Sequence, residues 1–176
     1  WAVHFEGKQR RDAGEDLIFF SIGEPDLPPS SAIIEVAAKQ MKAGRTRYSG
    51  GNGEAPLLEA LARHYTKQTG RMIAPSQFLF LPGTQTALAV AFLSIIELGD
   101  EVILLDPYYA TYEAVVSAPG GIPVRVKLDA DRDFHPDLDA IAAAITPRTR
   151  PILLNSPSNP TGAVFTETTI CASPPP

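Results

Sequence analysis

From residue 77 onward the sequence keeps a single rhythm: a short apolar run, a turn rich in Gly, Pro, Asn or Asp, then a longer stretch with helical spacing. The apolar runs fall at 78–81, 101–105, 122–128 and 151–155, and the intervening helices are expected at 84–97, 109–116 and 136–145. Strands that alternate with helices at this spacing build an α/β fold with a mostly parallel sheet. The runs are continuously apolar rather than alternating, as strands are when helices cover both faces of their sheet. No internal repeat is visible.

The first third of the chain is less regular. Residues 17–22 (LIFFSI) read as a strand that stops at the turn cluster Gly23-Glu24-Pro25-Asp26. A helix is expected over 31–43, where Ile33, Ala37 and Met41 share a face, Ser30 or Ser31 can cap the start, and Gly44 stands at the stop. Residues 45–53 form a loop of small residues, and a second helix runs over 54–69 with Leu57, Leu61 and Tyr65 as its stripe. The whole chain has 176 residues, 44% of them apolar and 20% charged, which suits a soluble protein with one real core. A net charge of −5 announces no basic face for nucleic acid. The longest apolar run, 87–96, is too short to span a bilayer, and the opening residues lack the apolar segment of a signal peptide. A single cysteine, Cys171, allows no internal disulfide, so a cytoplasmic setting is expected. The start at Trp1 and the ending Cys-Ala-Ser-Pro-Pro-Pro suggest a piece of something longer.

In parallel sheets ligands bind beyond the carboxyl ends of the strands. Four segments therefore carry the candidate chemistry. Pro82-Gly83-Thr84-Gln85-Thr86 joins an apolar run to a helix, and the free amides of that helix end can cradle a phosphate. The same residues would equally serve as a turn in which Thr84 or Thr86 caps the helix. Residues 106–112 hold three of the five tyrosines, rings able to stack on a planar ligand, although Tyr108 and Tyr112 also suit the core. In 155–162 Pro160 biases Asn159 toward extended backbone, so that its amide can be held in one direction; a plain Pro/Gly turn is the alternative. The fourth segment is 23–28. Asp129-Ala-Asp131-Arg-Asp133 opens like a calcium loop but has Phe134 and Ala140 where Gly and Glu are needed. His4, His64 and His135 show no metal-ligand spacing.

The stretches SIGEPDLPP, RTRYSGGNGEAPLLEALARHY, LFLPGTQTALAVAFLSIIELGDEVILLDPYYATY and NSPSNPTG, in this order, resemble the amino-terminal part of the class I/II aminotransferases, the pyridoxal-phosphate enzymes of fold type I. The opening WAVHFEGKQRRDAGED is similar to the subgroup that includes arginine–pyruvate transaminases. The resemblance implies a fold type I α/β domain, incomplete here. It makes residues 1–28 the start of a small domain, 29–170 the first part of a large cofactor-binding domain, and 171–176 an unstructured tail. It implies that Gly83, Thr84 and Gln85 bind the phosphate of pyridoxal 5'-phosphate, that Tyr109 stacks on its ring and that Asn159 bonds its phenolic oxygen. It further implies that Tyr48 reaches the cofactor of a second subunit, hence a homodimer, and that Gly23 lies beside the substrate carboxylate. The substrates would be an amino acid and a 2-oxo acid, within amino-acid metabolism. A carbon–sulfur lyase of the same fold and a non-catalytic remnant are the alternatives. Where the family often carries an arginine after the leucine of its GxxxLR motif, this chain has Leu58.

The family's Schiff-base lysine lies well beyond Asn-Pro-Thr-Gly, whereas the five lysines here, Lys8, Lys39, Lys42, Lys67 and Lys127, all precede it. No catalytic residue is therefore assigned, and the chain alone is expected to be inactive. The sheet order that the resemblance implies would leave 78–81 and 151–155 without neighbours and only 101–105 paired with 122–128. On that basis the chain expressed alone is expected to aggregate or to be partly molten.

Overall fold

The computed structural model describes residues 1–171. The chain divides into two compact units, Trp1–Ser49 and Gly50–Pro176. The domain boundary expected at 28/29 does not coincide with the division between these units. Of the expected tail 171–176, Cys171 ends a short helix and the rest lies outside the described residues.

The first unit holds two helices, α1 (Ala2–Asp12) and α2 (Ser31–Lys42). Residues 17–22 are extended but lie in no sheet among the described residues, so the strand expected there does not form. An apolar run becomes a strand only when a neighbour takes up its amides and carbonyls, and none is at hand. No described residue of this unit is buried.

The second unit begins with α3 (Ala55–Thr69), which carries Pro56 in its first turn. It ends on Gly70 in the left-handed conformation at φ 69°, whose N–H donates to the Thr66 carbonyl. Its buried face is centred on Leu58 and Ala62, a fraction of a turn away from the expected stripe, and Tyr65 is left 41% exposed. Leu58 is thus a packing residue. Residues 78–81 are extended without a strand partner among the described residues, touching the preceding loop through one backbone bond from Phe80 N–H to the Asn52 carbonyl.

Then follow α4 (Thr84–Ile95), β1 (Glu101–Asp106), α5 (Tyr112–Ser117), β2 (Ile122–Lys127), α6 (Leu138–Ala144), β3 (Thr149–Leu153) and α7 (Glu167–Cys171). The helix α5 starts three residues later than expected, because 109–112 close a turn in which Tyr112 N–H donates to the Tyr109 carbonyl. Asp137 rather than Pro136 sets the start of α6: its carboxylate accepts from the amides of Asp139 and Ala140 at 3.0 and 3.2 Å. The acidic loop likewise folds on itself, with Asp129 accepting from the Asp131 amide at the head of a 3₁₀ turn, Ala130–Arg132.

The three strands form a parallel sheet in the order β2-β1-β3. This corrects the expectation that 151–155 would be orphaned: β3 pairs directly with β1, Ile103 opposite Ile152 and Leu104 opposite Leu153. Parallel strands take whatever neighbour the crossover delivers, and α6 returns the chain to the free edge of β1. The β1–β3 register shifts between Glu101 and Ile103, which places Pro151 in the irregularity, where its missing N–H costs no ladder bond.

As the central strand, β1 is buried on both faces. Ile103 and Leu105 pack with Val126, Leu128, Ile141 and Phe165, whereas Val102 and Leu104 pack with Phe92, Ile96 and Val116. This is why its sequence reads as an unbroken apolar run. Its first residue is also buried: Glu101 accepts from Thr146 Oγ1 at 2.5 Å and from Arg148 Nε at 3.0 Å, which ties the start of β1 to the turn before β3.

Candidate functional site

Only residues 96–100 separate the end of α4 from the start of β1, and α4 packs on that strand through Phe92 and Ile96. Helix and strand therefore run in opposite directions, and the N-terminus of α4 lies toward the carboxyl end of β1. That N-terminus is built in an unusual way. Its N-cap is Gly83, at φ 83°, and no side chain hydrogen-bonds to the helix start. Neither Thr84 nor Thr86 caps it; the N-cap is the glycine. The amides of Thr84, Gln85 and Thr86 have no acceptor within the helix. A Cβ at Gly83 would meet nothing within 4 Å, so the approach to these amides is open.

At the carboxyl ends of β1 and β3 the chain brings tyrosines and asparagines together. A narrow cleft of about 10 Å³ is lined by Tyr108, Tyr112, Asn155, Ser158 and Asn159 together with core residues such as Leu104 and Phe165. It could admit about one water. These residues therefore form a floor rather than an enclosing pocket. The Tyr108 and Tyr112 rings lie nearly parallel, 22° apart with centroids at 6.4 Å, and both pack against the core cluster around Leu104, as their composition suggested. Tyr109 meets Tyr112 edge-on, with centroids at 5.8 Å, and keeps 39% of its surface exposed. Of the three, Tyr109 is the ring most open to a ligand.

The segment 155–162 is closed by its own bonds. Ser158 N–H donates to the Ala163 carbonyl and Gly162 N–H to that of Ser158, while Ser156 Oγ accepts from Phe165 N–H at 2.8 Å. Phe165 is buried in the core, so the loop bearing Asn159 is anchored at its far end.

A polar network that sequence reasoning missed stands behind the tyrosines. The Tyr108 hydroxyl donates to Glu113 Oε1, and Arg125 Nε donates to the same oxygen at 2.6 Å. The two donors hold the Glu113 carboxyl below its ordinary range, and burial followed by the nearby carboxylate pushes the Tyr108 phenol up. The available signal was Tyr108 itself, since a half-buried phenol needs a partner and Glu113 lies five residues further on. Beside it, Thr111 Oγ1 is buried without a hydrogen-bond partner.

The remaining two candidates belong to the first unit. Tyr48 is fully exposed at 106%. Gly23 sits in open extended chain, where a Cβ would touch nothing within 4 Å. Of the candidate residues, then, Gly83, Thr84, Gln85, Tyr109 and Asn159 lie within the second unit, and Tyr48 and Gly23 lie in the first.

Comparison with known proteins agrees with this architecture. The chain is 36% identical over 163 residues to an arginine–pyruvate transaminase of Pseudomonas aeruginosa, covering 93% of this chain and 42% of the relative. It is 37% identical over 164 residues to an aspartate/prephenate aminotransferase of Thermus thermophilus, with 93% and 43% covered. Among solved structures, a mutant Thermus thermophilus aspartate aminotransferase superposes with a TM-score of 0.91 at 36% identity, over 97% of this chain and 45% of the other. An alanine aminotransferase from Pyrococcus furiosus gives the same TM-score at 29% identity, over 97% and 44%. The chain thus spans less than half the length of the relatives it matches. The family model described as aminotransferase class I and II matches residues 15–172, and on that match the chain belongs to this family.

Proposed function

We propose that the second unit carries the cofactor floor of a pyridoxal-phosphate-dependent aminotransferase, which moves an amino group between an amino acid and a 2-oxo acid. The observation that carries this reading is the start of α4. There, free amides and the positive end of the helix dipole meet open space at the carboxyl edge of the sheet. The donor set fits the group. The amides after Gly83, with the Thr84 hydroxyl and Gln85, would hold the phosphate. Tyr109 offers an exposed ring for stacking, and the Asn159 amide offers a donor for the phenolic oxygen. When bound, the cofactor supplies an electron sink for the carbanion formed at the substrate's alpha carbon.

The chain's own residues orient and anchor. The helix end would hold the phosphate, Tyr109 would stack on the ring, and Asn159 would bond the phenolic oxygen. No lysine follows Asn159 in these 176 residues, so the group that would move the proton at the alpha carbon is not among them. A missing positioned base costs about 10²–10⁴ in rate, and the chain alone is expected to bind without transaminating. Tyr48, fully exposed, suits contact with the cofactor of a second copy in a homodimer, and Gly23 suits close backbone approach to a substrate carboxylate. The two relatives described above, named as a transaminase and an aminotransferase, favour amino transfer over the lyase alternative. A cytoplasmic setting fits the lone Cys171.

Equilibrium dialysis tests the reading. The chain should retain pyridoxal 5'-phosphate better than pyridoxal, and inorganic phosphate should displace it. Asn159→Ala should weaken retention by about 1.5–3 kcal/mol, the usual worth of a hydrogen bond to a charged group. Equal retention of pyridoxal and its phosphate would overturn the phosphate assignment.

A further inference from the structure

The Tyr108–Glu113–Arg125 network has no place in the cofactor reading, yet it stands directly behind the ring that the reading uses. Tyr108 follows β1, Glu113 lies in the first turn of α5, and Arg125 lies on β2 opposite Leu104. One carboxylate oxygen therefore joins three consecutive elements of the fold. The geometry continues from there. The Tyr108 ring stacks on Tyr112, the Tyr112 ring meets the edge of Tyr109, and the Tyr112 amide donates to the Tyr109 carbonyl at 3.0 Å. Among the described residues the Tyr109 side chain makes no hydrogen bond, and it is more exposed than either neighbour. Its position rests on the two rings behind it, which the core cluster around Leu104 holds from below and which Glu113 fixes in orientation through the Tyr108 hydroxyl.

We infer that Glu113 is a positioning residue for the cofactor-facing ring, an anionic clamp that holds Tyr108 against Arg125 and through Tyr112 fixes the orientation of Tyr109. This rests on the assignment of Tyr109 as the stacking residue. An uncharged acceptor would not serve as well. Hydrogen bonds to an ionised carboxylate are roughly twice as strong as neutral ones, and Arg125 needs the charge as much as Tyr108 needs the acceptor. The clamp is partly open to solvent, with Arg125 62% exposed and Glu113 35%, so its function is to fix geometry rather than to stabilise the fold.

A double-mutant cycle on the 176-residue chain tests this, read by retention of pyridoxal 5'-phosphate and by near-ultraviolet circular dichroism of the tyrosines. Glu113→Gln should weaken retention by about 2–10-fold, the range of one aromatic stacking contact. In a Tyr109→Ala background the same substitution should have no further effect, because the ring through which it acts is gone. Glu113→Gln should also flatten the dichroic signal of the stacked tyrosines, and Tyr108→Phe should do the same. A Glu113→Gln effect of equal size with and without Tyr109 would overturn the inference, since a merely structural role acts in both backgrounds. Loss of retention in Tyr109→Ala but not in Glu113→Gln would overturn the inference alone. No loss in Tyr109→Ala would instead overturn the stacking assignment, and the dichroic signal would still decide whether Glu113 holds the rings, an unchanged signal counting against it.

Discussion

The two units of the chain use similar apolar content in opposite ways. In Trp1–Ser49 the helices form and bury nothing: Ile33 on α2 is 66% exposed and Phe20 in the extended segment 92%. In Gly50–Pro176 a single strand, β1, buries four consecutive side chains, Val102 to Leu105, on two opposite faces. Helical periodicity is a local pattern that can be read without knowing what the helix packs against, whereas a buried strand exists only through its neighbours. The candidate site follows the second rule. Its floor lies at the carboxyl ends of β1 and β3, the strands that found partners, and the candidate residues on the first unit, Gly23 and Tyr48, lie on open chain.

The sharpest way to break this contrast is a matched pair of truncations. Ile103→Ala, at a fully buried position, should destabilise the second unit by about 2–5 kcal/mol. Ile33→Ala on α2 should change stability by no more than about 0.5 kcal/mol. Urea unfolding of both variants measures the difference, and similar midpoints would erase the distinction.

A smaller effect is expected behind β2. A Cβ on Gly121 would lie 2.7 Å from the Val116 carbonyl oxygen and 3.0 Å from Ile96 Cγ2. The neighbour at closest approach is backbone, so Gly121→Ala should cost about 1–3 kcal/mol by overpacking. Gly23→Ala in the first unit should cost nothing measurable in stability, because the space around it is open. The same urea experiment reads both.

The acid limb should be the subtlest difference. Hydrogen bonds from Thr146 and then Arg148 hold the Glu101 carboxyl below its ordinary value of 4.5. Its folded pKa is depressed, so its contribution to stability is present above about pH 4.5 and is lost as the pH falls through the folded value. Glu101→Gln should therefore flatten the acid loss of stability of the second unit while lowering its stability near neutrality. Unfolding midpoints at about pH 7 and about pH 4 check the sign, and parallel curves for the two proteins would contradict it.

Much of the second unit was legible in the sequence, for stated reasons. Apolar runs bounded by turn residues located β1 and β2 to within a residue, and the Gly83 turn marked the start of α4. Residues 78–81 carry the same signal as β1 yet form no strand, because no described segment pairs with them; a run of apolar residues reports what a segment could do beside a neighbour. The reverse error concerned β3, whose pairing depends on where α6 returns the chain, and no local pattern encodes that. In the candidate site, residue types drew attention to 106–112 and 155–162, and the family resemblance singled out Tyr109 and Asn159 within them. Glu113 and Arg125 did not stand out, because their importance lies in a contact across twelve residues that only the register of β2 against β1 creates.

Native-state amide exchange tests the central contrast most directly. The amides of Val102 to Leu105 in β1 should be the slowest in the chain, opening only with the whole second unit. Those of α2, a 12-residue helix with no buried residue, should exchange near the unprotected rate. Protection of α2 equal to that of β1 would contradict the account, for it would mean that the first unit holds order which its exposed surfaces do not explain.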